Sequence, residues 1–260
     1  MADVLKTFFI GGELEVNRLG FGTMRLTGQP GNFGPYPDWE KGVTLLRRAA
    51  DIGINFFDSA WAYGPETADR ILGDALSDRE VIFATKGGSD KPQPGKITVD
   101  GSRNTLLRQI DKALINLRRD RIDLYQLHRP DPEIPIEESV AALKEAKEDG
   151  RILHIGLSNV TKNELDRARG VTQIVSVQNR FNMSETEENE MVDYTAELGI
   201  AFIPWGPLGA IPMEYGAKLP PRESIAWLLK RSPNIIVIPG TTSIDHLEEN
   251  WSAWELVDSA

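Results

Sequence analysis

From residue 17 onward, short apolar runs alternate with longer segments whose apolar positions recur every three or four residues. Short runs rich in Val, Ile and aromatic residues mark buried strands, and the longer periodic segments mark amphipathic helices. The runs cover 18–24, 54–58, 81–86, 122–128, 152–158, 174–179, 201–205 and 235–239. Between and after them the periodicity predicts helices near 39–52, 66–77, 101–118, 136–149, 161–169, 185–198, 222–231 and 244–255. Eight such βα units close into a ring, so the expected fold is α/β, a (β/α)8 TIM barrel. A doubly wound open sheet is the competing architecture. It usually carries a glycine-rich phosphate turn after its first strand, and Gly20-Phe21-Gly22-Thr23-Met24 lacks the third glycine.

Ahead of the first barrel strand, 7–10 and 13–16 flank Gly11-Gly12, which reads as a two-residue β-hairpin turn. This hairpin is expected to cap the barrel bottom. The stretch 28–37 holds three glycines and three prolines and reads as a loop at the opposite, C-terminal mouth. At 260 residues the chain matches the ~250 of a complete barrel, so residues 1–260 are expected to form one domain.

Composition narrows the setting. With no cysteine, neither a disulfide framework nor a thiolate metal site is available, and no metal is expected. A net charge of -10 argues against a nucleic-acid partner, which requires a basic face. No segment reads as membrane-spanning, and residues 1–10, with Asp3 and Lys6, do not read as a signal peptide. A cytoplasmic setting is expected. The acidic run Glu185, Glu187, Glu188 and Glu190 reads as a solvated helix start favoured by the macrodipole.

In a barrel of this kind active sites form where strands end and the following loops begin. Those ends are polar here: Asp58, with Tyr63 five residues on, then Lys86, His128, Ser158 with Asn159, Gln178, Trp205, and the segment Ile238-Pro239-Gly240-Thr241-Thr242-Ser243. A lone Lys or Asp ending a strand is often a solvated or ion-paired residue. Six consecutive strands delivering such groups to one rim indicate a site.

At these residues the chain resembles the aldo-keto reductase superfamily, nearly end to end. The matching stretches run from Phe56-Phe57-Asp58-Ser59-Ala60-Trp61-Ala62-Tyr63-Gly64 through Ala84-Thr85-Lys86-Gly87 to Asp123-Leu124-Tyr125-Gln126-Leu127-His128. They continue with Ile155-Gly156-Leu157-Ser158-Asn159, Gln178-Asn179, Pro204-Trp205-Gly206-Pro207-Leu208-Gly209, Ile238-Pro239-Gly240-Thr241 and Glu249-Asn250. Within the superfamily the chain is most similar to bacterial members related to pyridoxal reductases.

The resemblance implies NAD(P)H-dependent reduction of an aldehyde or ketone, with a catalytic tetrad of Asp58, Tyr63, Lys86 and His128. Hydride addition builds negative charge on the carbonyl oxygen, which a proton donor in place must meet. Tyr63 is the implied acid, although a free phenol near pKa ~10 is a reluctant donor. An ammonium ~4 Å away at an effective dielectric of ~20 contributes about 4 kcal/mol, or roughly three pKa units, so Lys86 is expected to bring Tyr63 into range. Asp58 would keep Lys86 charged, and His128 would orient the substrate oxygen. Tyr125, earlier in the same strand, is read as packing deeper on the same side.

For the cofactor, the resemblance places the nicotinamide carboxamide against Ser158, Asn159 and Gln178, with the ring on Trp205, where many relatives carry Tyr. Gly22, Thr23 and Met24 would approach it from the first strand. Gly206, Pro207 and Leu208, together with Ile238, Gly240, Thr241, Thr242 and Ser243, would line its pyrophosphate and adenosine end. His246, Glu249 and Asn250 would complete that end. Thr242 or Ser243 also reads as an ordinary helix N-cap. Where many relatives carry Lys, Ser and Arg around the 2′-phosphate, this chain has Gly240, Thr241 and His246. The resemblance favours NADP(H), and NAD(H) stays open.

Trp61, between Asp58 and Tyr63, and Arg129 are expected in the substrate pocket. The connection 210–224, only fifteen residues, and the ten residues after Asn250 are expected to leave the mouth open. His154, at the barrel's other end, is read as structural, and Leu247, Trp251 and Trp254 as barrel packing. Two other functions compete with reduction: a cofactor-binding sensor or regulatory subunit with little turnover, and an aldolase forming a Schiff base at Lys86. Substrate identity and oligomeric state are not legible.

Overall fold

A computed structural model describes residues 4–210 and 216–258. Part of the short connection 210–224, residues 211–215, lies outside the described residues, as do residues 1–3 of the amino-terminal stretch read above. The chain opens with a hairpin of β1 (Thr7–Ile10) and β2 (Leu14–Asn17). Ile10 pairs with Leu14, so the loop is the three residues Gly11-Gly12-Glu13 and not the two expected. Glu13 joins the turn because its N–H donates to the Ile10 carbonyl.

The barrel begins with β3 (Phe21–Gly22), followed by α1 (Trp39–Asp51), β4 (Phe56–Asp58), α2 (Thr67–Leu76) and β5 (Ile82–Gly87). A second hairpin, β6 (Ser89–Gln93) with β7 (Lys96–Val99), then interrupts the alternation. The chain continues through α3 (Arg103–Leu117), β8 (Ile122–Leu127), α4 (Ile136–Glu148), β9 (Ile152–Ser158) and α5 (Lys162–Arg169). It then runs through β10 (Ser176–Gln178), α6 (Asn189–Glu197), β11 (Ala201–Phe202), α7 (Pro221–Arg231), α8 (Ile244–Trp251) and α9 (Ala253–Asp258). The hairpin at 89–99 was not predicted, because Pro92 and Pro94 read as loop. The last predicted helix is divided at Ser252. The acidic run stands mostly ahead of its helix: α6 starts at Asn189, Glu185 pairs with Arg180 at 2.8 Å, and Glu188 accepts from Asn179 Nδ2.

Seven parallel strands follow one another in the order β3, β4, β5, β8, β9, β10, β11. Residues 235–237 supply the eighth stave, with parallel bridges from Ile235 to Phe202 and from Val237 to Leu19. The ring is therefore closed, which excludes the open doubly wound sheet. Arg18 fastens this seam. Its buried guanidinium donates to the carbonyls of Ile235 (2.9 Å), Leu229 (2.7 Å), Ser232 and Leu5 (2.8 Å). Burial lowers its pKa to about 10.

Side-chain alternation sorts the strands into two layers. Phe21, Phe57, Phe83, Tyr125, Leu157 and Val177 face outward into the shell packed by helix residues such as Leu46, Ile71, Ile110 and Leu143. Phe56, Ala84, Leu124, Ala201 and Ile236 face inward, and Ile10 and Val16 of the first hairpin pack with them as the barrel floor. His154 is buried at this end, 2.9 Å from Glu13. Leu247 and Trp254 are buried and Trp251 packs on the shell, matching their reading as packing. Among the described residues no helix is long and apolar enough to cross a membrane.

Substituting Arg18 by Met keeps much of the volume but leaves buried carbonyl oxygens without their donor, each costing about 1–3 kcal/mol. Arg18→Met is expected to lose about 3 kcal/mol or more in urea denaturation. A loss below about 1 kcal/mol would show that the seam closes without the guanidinium.

Candidate active site

Two residues along each strand from the apolar floor, the inward positions turn polar. Asp58 follows Phe56, Lys86 follows Ala84, and Gln126 follows Leu124. Parallel pairing sets Lys86 beside Gln126 and Gln178 beside Ser158. Gly156 supplies the room: a Cβ there would meet Ser176 Oγ at 2.0 Å and the Gln126 side chain at 3.0 Å. Lys86 Nζ donates to Asp58 Oδ2 at 2.6 Å and to the Ser59 carbonyl at 2.8 Å, both charged side chains being essentially shielded from solvent. Asp58 Oδ1 accepts from Gln178 Nε2 at 2.9 Å and Gln126 Nε2 at 3.3 Å. Both carboxylate oxygens are thus engaged, as a buried charge requires.

Tyr63 stands in a tight loop after β4, in which its N–H donates to the Ala60 carbonyl and the Trp61 N–H to that of Lys86. Lys86 Nζ is 5.2 Å from the centroid of the Tyr63 ring. The ring meets His128 edge-to-face, centroids 6.0 Å apart. Burial raises the phenol's pKa; Lys86 opposes it, Asp58 reinforces it, and the net direction is upward. Lys86 does pull the phenol down as expected, but it does not bring it below its ordinary range, because desolvation and the Asp58 charge together outweigh one ammonium. Burial pulls Lys86 down, yet Asp58 and Tyr63 prevail, so it stays protonated. Burial and the cations Lys86, Arg129 and Lys91 hold His128 well below the usual histidine range, so its imidazole is neutral at pH 7.

Asp58, Tyr63 and His128 line a cavity of about 330 Å³ at the barrel mouth, with Lys86 directly behind them. Ser158, Asn159, Gln178 and Trp205 form the next part of its wall. Their donors are spent within the protein. Ser158 Oγ donates to the Gln178 carbonyl (2.8 Å), Asn159 Nδ2 to the His128 carbonyl (3.0 Å), and Trp205 Nε1 to Asn159 Oδ1 (3.1 Å). Acceptor capacity remains on these side chains, suited to the NH2 of a carboxamide. Trp205 presents a flat ring, with Arg180 4.9 Å from its centroid. The chemistry of this set fits a nicotinamide.

Of the other residues singled out from sequence, Gly22, Met24, Gly206, Pro207 and Leu208 line the same cavity, as do Ile238, Gly240 and Arg129. Thr23 is buried and donates to the Asp58 carbonyl at 2.9 Å. Trp61 does not form the wall; its indole donates to Asp90 of the β6–β7 hairpin at 3.1 Å. Thr241, Thr242, Ser243, His246, Glu249 and Asn250 follow Gly240 away from the lining, and Ser243 accepts from the His246 N–H as the N-cap of α8. Tyr125 faces the outer shell, and Gln126 is the inward residue. Strand alternation counted back from His128 identifies Gln126. Arg25, Lys91, Gly95 and Ile97 also line the mouth and were not anticipated.

With this geometry in view, comparison with known proteins decides the family. The Aldo/keto reductase family model matches residues 18–223. The chain belongs to the Aldo/keto reductase family. It is 37% identical over 270 residues to the pyridoxine 4-dehydrogenase of Escherichia coli, covering 96% of this chain and 93% of the relative. An uncharacterized oxidoreductase of Schizosaccharomyces pombe is also 37% identical over 254 residues, covering 93% of this chain and 83% of that one. In fold it matches the glycerol dehydrogenase of Gluconobacter oxydans with a TM-score of 0.83 at 22% identity, over 98% and 94% of the two chains. This aldo-keto reductase is therefore an oxidoreductase acting on carbonyl and alcohol groups with a nicotinamide cofactor.

A second buried carboxyl stands behind Lys86. Asp69 of α2 accepts from Thr85 Oγ1 at 2.8 Å. Burial raises its pKa to about 6, against hydrogen bonds from Ser59 and Thr85 and the Lys86 charge. Unfolded, the same group ionises near ~4, so above pH 6 the native state holds a carboxylate at a cost of about 3 kcal/mol, and the cost fades as pH falls towards 4. Asp69→Asn, which keeps an acceptor for Thr85, is expected to raise Tm at pH 7.5 and to lose most of that gain at pH 4.5. Equal shifts at the two pH values would refute this account.

Proposed function

We propose that this aldo-keto reductase converts small aldehydes or ketones to alcohols with NADP(H) as its preferred cofactor, Tyr63 serving as the proton donor. The observation that carries the reading is the meeting of Tyr63, His128 and the Lys86–Asp58 pair at one cavity wall, beside the uncharged set Ser158, Asn159 and Gln178. When bound, the nicotinamide supplies hydride to the carbonyl carbon. Ser158, Asn159 and Gln178 would hold its carboxamide and Trp205 its ring. Gly206, Pro207, Leu208 and Gly240 would hold its phosphate end beside the N-terminus of α8.

The chain's own residues manage the proton. A phenol raised above its ordinary pKa stays protonated throughout the physiological range, as a donor must. An alkoxide oxygen is roughly as basic as hydroxide and far more basic than a phenolate, so transfer from Tyr63 is downhill once charge develops. Lys86 stabilises the phenolate left behind, and Asp58 keeps Lys86 charged. His128, being neutral, can donate a hydrogen bond to the substrate oxygen without competing for its proton. A protonated, ion-paired Lys86 makes a poor nucleophile, so the Schiff-base reading has no support. The Escherichia coli relative is a pyridoxine 4-dehydrogenase, which makes pyridoxal the first aldehyde to try. The proposed setting is the cytoplasm, in keeping with a chain that carries no cysteine.

Tyr63→Phe is expected to lower turnover about 10²- to 10⁴-fold while fluorescence titration with NADPH gives a Kd close to that of the parent. Retained turnover, or cofactor binding lost with it, would remove Tyr63 from this role. Titration with NADPH and NADH side by side tests the preference.

A further inference from the structure

The charge at the cavity mouth runs against that of the whole molecule. The chain carries a net -10, yet Arg25, Lys91 and Arg129 line the cavity, and the one carboxylate among its described lining residues is Asp58, already engaged by Lys86, Gln178 and Gln126. Lys91 is only 4% exposed and has no carboxylate partner among the described residues: its ammonium donates to the carbonyls of Gly31 and Asn32, each at 3.2 Å. Arg129, half-buried directly after His128, makes no hydrogen bond or ion pair with any described residue. Withdrawing cations from water without an anion is costly, and a site that tolerates it is poised for one.

Topology separates these cations from the proposed cofactor wall. Ser158 and Gln178 end β9 and β10, and Trp205 and Gly240 follow β11 and the 235–237 stave, whereas Lys91 and Arg129 follow β5 and β8 on the neighbouring arc of the ring. Both are close enough to His128 to depress its proton affinity. A ligand whose reacting oxygen sits between Tyr63 and His128 would extend its far end towards them.

We propose that the preferred substrates are small carbonyl compounds bearing an anionic group, a carboxylate or a phosphate, held by Lys91 and Arg129 at the end of the cavity away from the cofactor. This deepens the reductase reading and rests on it.

Two matched pairs assayed with saturating NADPH test it and separate the two anions: succinic semialdehyde against butanal, and glyceraldehyde 3-phosphate against glyceraldehyde. At least one anionic member is expected to exceed its neutral partner in kcat/KM by about tenfold or more. Lys91→Met and Arg129→Gln are each expected to cut that preference about tenfold, mainly through KM. Neutral partners used as well as both anions, or a preference untouched by both substitutions, would overturn the proposal. Calorimetric titration with succinate and inorganic phosphate in the presence of NADP⁺ gives a reading independent of turnover. Anion binding that weakens in Arg129→Gln, in a protein that turns over no aldehyde, would refute the reductase reading and keep the anion site. Turnover of neutral aldehydes with no anion binding would do the reverse.

Discussion

The Asp58–Lys86 pair is the constraint around which the rest of the barrel interior is arranged. An ammonium and a carboxylate 2.6 Å apart, both withdrawn from solvent, are stable only if every remaining lone pair and proton finds a partner. Gln126 and Gln178 supply two donors, the Ser59 carbonyl accepts a hydrogen bond from Lys86, and the missing side chain at Gly156 leaves space for Gln126. Beneath them the floor of Phe56, Ala84 and Leu124, sealed by Ile10 and Val16, keeps water away from the pair. The pair in turn holds a positive charge against the Tyr63 ring.

Around the phenol, opposite charges meet in the buried Lys86–Asp58 pair, while Arg129 and Lys91 stand at the mouth. His128 is kept neutral by burial and by its cationic neighbours, and Ser158, Asn159 and Gln178 are uncharged. The phenol therefore responds to Lys86 and Asp58 in opposition, with desolvation deciding the balance. A phenol held this way gives its proton poorly to water and readily only to a strongly basic oxygen formed beside it.

Much of this was legible in the chain itself, and the reason differs from part to part. Barrel strands and helices followed from hydrophobic period, because alternation and the 3.6-residue repeat are direct records of which face is buried. The positions of Asp58, Lys86 and His128 at strand ends followed from the same alternation. Gln126 was readable by counting two residues back from His128. Trp61 was misplaced because adjacency in sequence to Asp58 and Tyr63 says nothing about which way a loop residue turns, and here Asp90 draws the indole under a hairpin. That hairpin was itself hidden by Pro92 and Pro94, which are tolerated in a two-stranded ribbon because such a ribbon has edges. The direction of the Tyr63 shift depended on burial, which no single-residue argument supplies. Arg18 looked like the start of a strand, and its clasp on the closing seam depends on carbonyls more than 200 residues away.

The tie between Lys91 and the carbonyls of Gly31 and Asn32 joins two rim segments that are far apart in sequence. The loop around Gly31 and Asn32 and the 89–99 hairpin are thus tied to each other as well as to their own staves. Evolution, or an engineer, exchanging either alone would strand its polar backbone against a foreign neighbour. A graft that carries both segments together keeps these two hydrogen bonds and the mouth they shape.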